Sequence, residues 1–207
     1  RQNVVARHLG ACRTAIDSLM CVYMIAIPNS DSELIDRDTR TLVETTAEGW
    51  WYTALMPNGR RTVAWLTDSS LLRLQAWQSR DWFCSRVNAT SHLRELLVRH
   101  GYTFHDTPSC TSATSSRIEP WHGCRWLAVG DAAIAFDPLS SHGLVNALVT
   151  GSEAGEAIFE NLHGDSTSIQ RYSDGLDRSW TQYVAMRLNY YRMEQRWNTS
   201  HFWSLRR

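Results

Sequence analysis

Residues 126–148 constrain this chain more than any other stretch. Trp126-Leu-Ala-Val-Gly130-Asp131, followed by Pro138, Ser140, Ser141 and Gly143, puts an apolar strand, a carboxylate, a Pro/Gly loop and a helix start within one turn-back. Leu127, Ala128 and Val129 form a short apolar run that stops at Gly130, the pattern of an inner parallel strand covered on both faces. Asp131 follows at the carboxyl end of that strand, where open α/β sheets bind their ligands. The Ser140-Ser141 pair predicts a cap for a helix with Val145, Leu148, Val149, Ala154, Ala157 and Ile158 inward, and Gly143 permits close approach of a ligand to the backbone. Unpaired amides and the positive end of the helix dipole would then face a ligand with sugar hydroxyls and an anionic or electron-rich edge.

Bulk properties narrow the classes. A chain of 207 residues is long enough for one large domain or two small ones. Acidic and basic residues balance at 21 each, so no global field points to nucleic acid or a membrane surface. Every basic residue is Arg, which removes a Schiff-base, P-loop or halogenase-type lysine from this stretch. Cys12, Cys21, Cys84, Cys110 and Cys124 are odd in number and widely spaced, so neither a disulfide scaffold nor a zinc knuckle is indicated and a reducing cytoplasm is expected. His8 with Cys12, and His100, His105 and Cys110, are too loosely grouped for a zinc set, so no metal site is expected. The longest apolar run, Leu19 to Ile27, falls short of the roughly 20 residues that a bilayer span needs.

Along the chain, Leu19 to Ile27 reads as a buried strand, Thr41 to Thr46 alternates, and Trp50 to Met56 and Arg61 to Thr67 flank the hairpin turn Pro57-Asn58-Gly59. Successive strands with short turns predict an antiparallel sheet, distinct from the parallel one expected around Val129. Asp68-Ser69-Ser70 predicts a cap for a helix carrying Leu71, Leu72, Leu74 and Trp77, a second helix is expected from about Asp81 to His100, and Thr103 to Ser116 reads as a loop. A helix from about Ser141 to Leu162 is broken by Gly164-Asp165. Beyond it, Trp180, Tyr183, Arg187, Tyr190, Glu194 and Trp197 recur at three- and four-residue steps, which predicts one helix face.

In the segment from Trp126 to Gly151 the chain resembles the flavin-dependent monooxygenase and halogenase superfamily, with its p-hydroxybenzoate-hydroxylase-like fold. The resemblance implies that Gly130 and Asp131 hold the ribityl chain of FAD. It further implies that Pro138, Leu139, Ser140, Ser141, His142, Gly143 and Leu144 line the flavin, with the Gly143 and Leu144 amides toward the pyrimidine edge. One departure from the aromatic hydroxylases is Val145 where they have Asn, with Asn146 one place on. Flavoproteins of this type also need a Gly-x-Gly-x-x-Gly turn that these residues lack, so the chain is expected to be the C-terminal portion of a longer protein.

A second patch, Gly49-Trp50-Trp51-Tyr52 through Pro57, is similar to the Gly-Trp-x-Trp-x-Ile-Pro signature of tryptophan halogenases, with Tyr52 in place of the second Trp and no Ile-Pro pair. Adjacent Trp residues on a strand point to opposite faces, so one of Trp50 and Trp51 can pack the core while the other, with Tyr52, lines a substrate cavity. Together with the aromatic tail from Tyr190 to Trp203, the pattern looks most like the flavoproteins that mature tryptophylquinone cofactors, which implies a peptide-bound Trp as substrate. Ser140, Ser141 and His142 lack a Gly-x-Ser-x-Gly elbow and are sequence neighbours, which argues against a serine hydrolase.

The expected fold class is therefore α/β (α+β): an FAD-binding dinucleotide-type domain without its N-terminal βαβ, joined to an antiparallel substrate sheet. Residues 1–116 are expected to form the substrate domain with helices, 117–164 the last strand, Gly-Asp loop and helix of the FAD domain, and 165–207 an aromatic-rich helical segment. The expected activity is FAD-dependent oxygenation of an electron-rich aromatic, either a small molecule or a peptidyl Trp on a protein substrate, with NAD(P)H as reductant. The alternatives are a halogenase and a non-catalytic packing fragment. The sequence assigns no catalytic acid or base.

Overall fold

A computed structural model describes residues 8–29 and 34–207. The chain divides into two compact units: residues 8–18 with Ala113–Met193, and residues 19–112, as far as described, with Glu194–Arg207.

The first unit holds the Gly-Asp loop. Strands β1 (Cys12–Ala15), β8 (Ser116–Glu119) and β11 (Ile134–Ala135) form an antiparallel sheet in the order β1-β8-β11, and β9 (His122–Gly123) pairs with β10 (Trp126–Leu127). Residues 12–15 are thus strand, so His8 and Cys12 do not share a helix face. The expected parallel strand at 127–129 is not formed: Trp126 and Leu127 pair only with β9, antiparallel, and every strand pair among the described residues is antiparallel. A parallel ladder needs a neighbour running the same way, and no described strand lies beside this one in that sense.

Two long helices cover the sheet, Gly143–Leu162 and Ser168–Met193. The second buries Tyr172, Leu176, Trp180, Tyr183 and Tyr191, and the first four of these pack with Ile118, Trp121, Ile134 and Phe136. The expected face is correct at Trp180, Tyr183 and Arg187, then departs from expectation: Tyr191 is buried while Tyr190 is half exposed, and the helix ends before Glu194 and Trp197. The first helix buries Thr150, Ala154 and Ala157. Val145, Leu148, Val149 and Ile158, expected inside, are exposed together with Leu144, Phe159 and Leu162. Close packing of the two helices selects the small-residue face, which lets their backbones approach.

The second unit is built on β2 (Leu19–Pro28), β3 (Leu42–Thr46), β4 (Gly49–Leu55), β5 (Arg61–Asp68), β6 (Tyr102–Thr103) and β7 (Ser109–Ser112), all antiparallel, in the order β3-β4-β5-β2-β6 with β7 also on β2. The 103–116 stretch is therefore not simply a loop, because Ser109–Ser112 pairs with Met20–Tyr23. Gly49 opens β4 at φ +149°, where a Cβ would fall 2.0 Å from the Leu66 carbonyl oxygen, so only glycine fits. The helix capped by Asp68 is only Ser69–Leu72 and leaves Leu74 exposed.

The single helix expected from 81 to 100 is two, Arg80–Asn88 and His92–Arg99. Thr90 closes the first, its hydroxyl donating to the Val87 carbonyl at 2.6 Å, and the Glu44 carboxylate accepts the Ser91 and Leu93 amides to start the second. Phe83, Val87, Leu93 and Leu97 pack on Val22, Trp51, Val63 and Trp65. No helix of the described residues is long and apolar enough to cross a membrane.

Candidate flavin-facing loop

The loop is built from four local constraints. Gly130 stands at φ +52°, and a Cβ there would lie 3.1 Å from Ala147 Cβ, so a side chain at the turn after Val129 would be strained and crowded. Its amide donates to Thr150 Oγ1 at 2.9 Å, and that hydroxyl donates to the Asn146 carbonyl at 2.6 Å. Residues Gly130–Ala133 make one helical turn. Arg13 on β1 closes the end of that turn: Nη2 donates to the Asp131 and Ala132 carbonyls at 2.8 and 2.7 Å, and Nη1 donates to Ser116 Oγ at 2.7 Å. Asp131 is partly buried on a turn held from both sides.

Pro138–Ser140 forms a 3-10 turn whose start is capped by Asp137, Oδ1 accepting the Leu139 amide at 2.9 Å. Ser140 Oγ donates back to the Asp137 carbonyl at 2.8 Å, and Ser141 adopts a left-handed conformation at φ +54°. The expected serine cap is replaced. Ser140 lies in the turn and Ser141 closes it, and the helix begins at Gly143 with His142 in the cap position and no side-chain cap bond. The reason is that Ser140 is already engaged within the 3-10 turn and accepts the His142 amide at 3.3 Å. His142 Nδ1 lies against the Ser140 carbonyl.

Amides 143–145 thus have no partner one turn back in the helix and no capping side chain. Nothing lies within 4 Å of a Cβ position at Gly143, and Leu144 is exposed. Asn146 Nδ2 is buried without a hydrogen-bond partner. Donors without acceptors around an open glycine suit an electron-rich or anionic ligand edge, and a partly buried carboxylate at Asp131 suits a hydroxyl donor. These features fit a flavin nucleotide.

Behind the loop, Asp137 is buried, and desolvation raises its carboxyl above the ordinary range against the hydrogen bonds from Tyr191 and Leu139 and the charge of Arg187. Tyr183, whose oxygen accepts the Asp137 amide at 2.8 Å, is pushed up to about 12, by burial first and by Asp137 second. Arg13, Thr150, Tyr183 and Arg187 were not singled out by sequence as supports of the loop. Only the recurrence of Tyr183 and Arg187 on one helix face pointed toward them.

All nine loop residues, from Gly130 and Asp131 through Pro138, Leu139, Ser140, Ser141, His142, Gly143 and Leu144, lie in the first unit; Trp50, Trp51 and Tyr52 lie in the second. Trp50 and Trp51 alternate faces as expected, yet both are 2% exposed. Trp51 stacks on Trp65 with ring centroids 6.1 Å apart and meets Phe83 edge-on at 5.3 Å, which makes it a core residue. Trp50 neighbours the half-buried Tyr52 at 6.2 Å. Among the described residues no cluster of three or more His, Cys, Asp or Glu is arranged to hold a metal ion.

No protein-family model matches the chain. A Marinomonas mediterranea protein, LodB, described as an FAD-dependent oxidoreductase, is 25% identical over 206 residues, which cover 100% of this chain and 54% of LodB. The chain therefore spans about half the length of that relative. Among solved structures, the flavin-dependent halogenase CmlS superposes with a TM-score of 0.77 at 22% identity, covering 99% of this chain and 38% of that one. The peptidyl tryptophan dihydroxylase QhpG, essential for tryptophylquinone cofactor biogenesis, gives 0.71 at 20% identity, covering 92% and 43%. The chain has the fold of the matching part of the flavin-dependent halogenase CmlS and of this tryptophan dihydroxylase, and LodB, a relative that matches along the whole of this chain, is described as an FAD-dependent oxidoreductase.

Proposed function

We propose that this chain supplies part of the flavin site of an FAD-dependent oxidoreductase. Asp131 accepts a hydrogen bond from the ribityl chain, and residues 138–144 line the ring. The carrying observation is the loop itself: uncapped amides at 143–145 and an open Gly143, with the partly buried Asp131, all on a backbone fixed by Arg13, Thr150 and Asp137. When bound, the flavin would supply redox chemistry and oxygen activation, with NAD(P)H as the electron donor. The residues named here bind and orient it.

The rest of the dinucleotide domain, by this reading, covers the apolar face of the helix Gly143–Leu162. Leu144, Leu148, Phe159 and Leu162 are each more than 60% exposed there, and a cleft of about 390 Å³ lined by Trp126, Leu127, Ile158 and Leu162 adjoins them. Contiguous apolar surface of that kind marks an interaction site.

Oxygenation of an electron-rich aromatic, with a peptide-bound Trp as candidate substrate, is the favoured activity. The likeness to a peptidyl tryptophan dihydroxylase supports it, and the relation to LodB supports the FAD-dependent oxidoreductase part of the reading. Halogenation is the second reading, favoured by the likeness to CmlS. Flavin retention by the complete protein tests the common part. Asp131→Ala should lower FAD affinity by roughly ten- to a hundredfold, as expected for loss of a hydrogen bond to a charged group. Asp131→Asn should lose less. Unchanged affinity in the Ala variant would remove Asp131 from the site.

A further inference from the structure

The most heavily buried ionic group of the first unit sits directly behind the proposed flavin loop. Asp137 is 1% exposed and uses both carboxylate oxygens: Oδ1 accepts the Leu139 amide at 2.9 Å, and Oδ2 accepts the Tyr191 hydroxyl at 2.6 Å. Arg187 Nε lies 3.6 Å from Oδ2, an ion-pair distance without a hydrogen bond. The same guanidinium donates through Nη2 to Asp17 Oδ2 at 2.9 Å and lies 4.8 Å from the centroid of the Tyr191 ring. Asp17 in turn accepts the Ser115 amide at 3.2 Å, and Ser115 Oγ is 2.6 Å from Tyr183 Oη. One cation therefore stands between two carboxylates, and three residues of one helix stripe, Tyr183, Arg187 and Tyr191, converge on Asp137.

A turn before a proline can be ordered by many neutral residues, and burying a carboxylate costs several kcal/mol unless its partners compensate. The site retains a charge where a neutral amide or hydroxyl would cap equally well. What the charge adds is a second accepting oxygen. The ionised group accepts from Leu139 and Tyr191 at once, one on each oxygen, whereas protonation turns one of the two oxygens into a hydroxyl donor and weakens its accepting role. The first turn of the loop is thus tied to whether this carboxylate is ionised.

We infer that Asp137 is a positioning residue for the flavin site: held by Tyr191 and Arg187, it fixes the Leu139 amide and thereby the direction of the backbone amides that follow. The inference rests on the reading that residues 138–144 line a flavin. The groups that face Asp137 are Tyr183, Arg187 and Tyr191 from the helix Ser168–Met193, with Asp17 acting through Arg187; His142, on the same loop, is exposed. Burial raises the Asp137 carboxyl, so its proton is taken up at a higher pH than for an ordinary aspartate. If the ionised form holds the loop, FAD affinity falls as pH drops through that raised value.

The test uses the complete protein in four forms: wild type, Asp137→Asn, Tyr191→Phe and Asp131→Ala. Hydrogen exchange of amides 139–144 is measured without FAD, and FAD affinity is measured from pH 5 to 9, each also in a His142→Gln background to remove the loop histidine from the profile. Asp137→Asn should speed exchange of these amides about tenfold, weaken FAD about tenfold at pH 8 and flatten the pH profile. Tyr191→Phe, which leaves the carboxylate in place, should move the midpoint of that profile upward. Unchanged exchange and an unchanged profile in Asp137→Asn, with Asp131→Ala still weakening FAD, would overturn the positioning role and leave the flavin reading intact. Faster exchange in Asp137→Asn with FAD affinity indifferent to both Asp137→Asn and Asp131→Ala would overturn the flavin reading, and with it any role in cofactor positioning.

Discussion

Thr150 Oγ1 accepts the Gly130 amide at 2.9 Å, so a hydroxyl two turns into the long helix grips the glycine on which the chain reverses after β10. The bond is buried, and the hydroxyl also donates to the carbonyl of Asn146 four residues back. Strand exit, reversal and helix are therefore held by a single side chain.

Two substitutions probe this grip. Thr150→Val removes the acceptor and leaves a buried amide unpaired, which costs about 1–3 kcal/mol. Gly130→Ala places a methyl 3.1 Å from Ala147 Cβ at a φ of +52°, adding strain of about 1–3 kcal/mol. Both variants should show a lower urea midpoint with an unchanged slope, and FAD binding should weaken in both. A Thr150→Ser variant should recover most of the loss, since the hydroxyl remains.

Trp51 behaves as a core residue. It stacks on Trp65 across the β4–β5 ladder and meets Phe83 from the helix Arg80–Asn88. Replacing it by Leu removes both ring contacts and leaves part of its volume empty, so a loss of about 2–4 kcal/mol is expected by comparison with buried aromatic truncations. Equilibrium unfolding measures it. A turnover defect in Trp51→Leu at unchanged stability would contradict a purely structural role.

The antiparallel hairpin was legible because Pro57-Asn58-Gly59 interrupts two runs rich in β-branched and aromatic residues, and the Gly-Asp loop was legible because glycine and proline stand where the backbone demands them. Other features turned on tertiary contacts that periodicity does not carry. Hydropathy places Val145, Leu148, Val149 and Ile158 inside helix Gly143–Leu162 together with Ala154 and Ala157, and of these only the two alanines are buried. The face that packs is Thr150, Ala154 and Ala157, because helix–helix contact rewards small residues. Ser109-Cys-Thr-Ser112 lacks an apolar pattern and becomes a strand through its backbone bonds to β2. The break at Ala89–Ser91 is set by Glu44, which comes from β3 and is distant in sequence.

Acid should act on the second unit through Glu194. Its carboxyl is lowered to about 2, first by the hydrogen bond from Arg196 and then, against a desolvation penalty, by Thr45 and the Arg196 amide. A depressed folded value means that the stabilisation is present above the ordinary 4.5 and is lost as pH falls from there toward about 2. Arg196 is largely exposed, so solvent screening keeps the contribution to below about 1 kcal/mol. Glu194→Gln should therefore be slightly less stable at pH 7 and show a shallower loss between pH 4.5 and 2, read from urea midpoints across that range.

The product distinguishes oxygenation from halogenation. Halogenation needs a halide close to the flavin and a side chain that passes the activated halogen to the substrate, and a lysine is suited to that transfer. The 207 residues contain no lysine, and Tyr52 stands where the halogenase-like Trp-x-Trp pattern has its second Trp. The complete protein, given an electron-rich aromatic such as a Trp-containing peptide together with a reductant for its flavin, should yield a product heavier by one or more oxygen atoms, and the yield should not depend on added chloride or bromide. Labelled dioxygen should place its label in that product. A halide-dependent product carrying a chlorine or bromine isotope pattern, with no label from dioxygen, would assign the chain to halogenation instead.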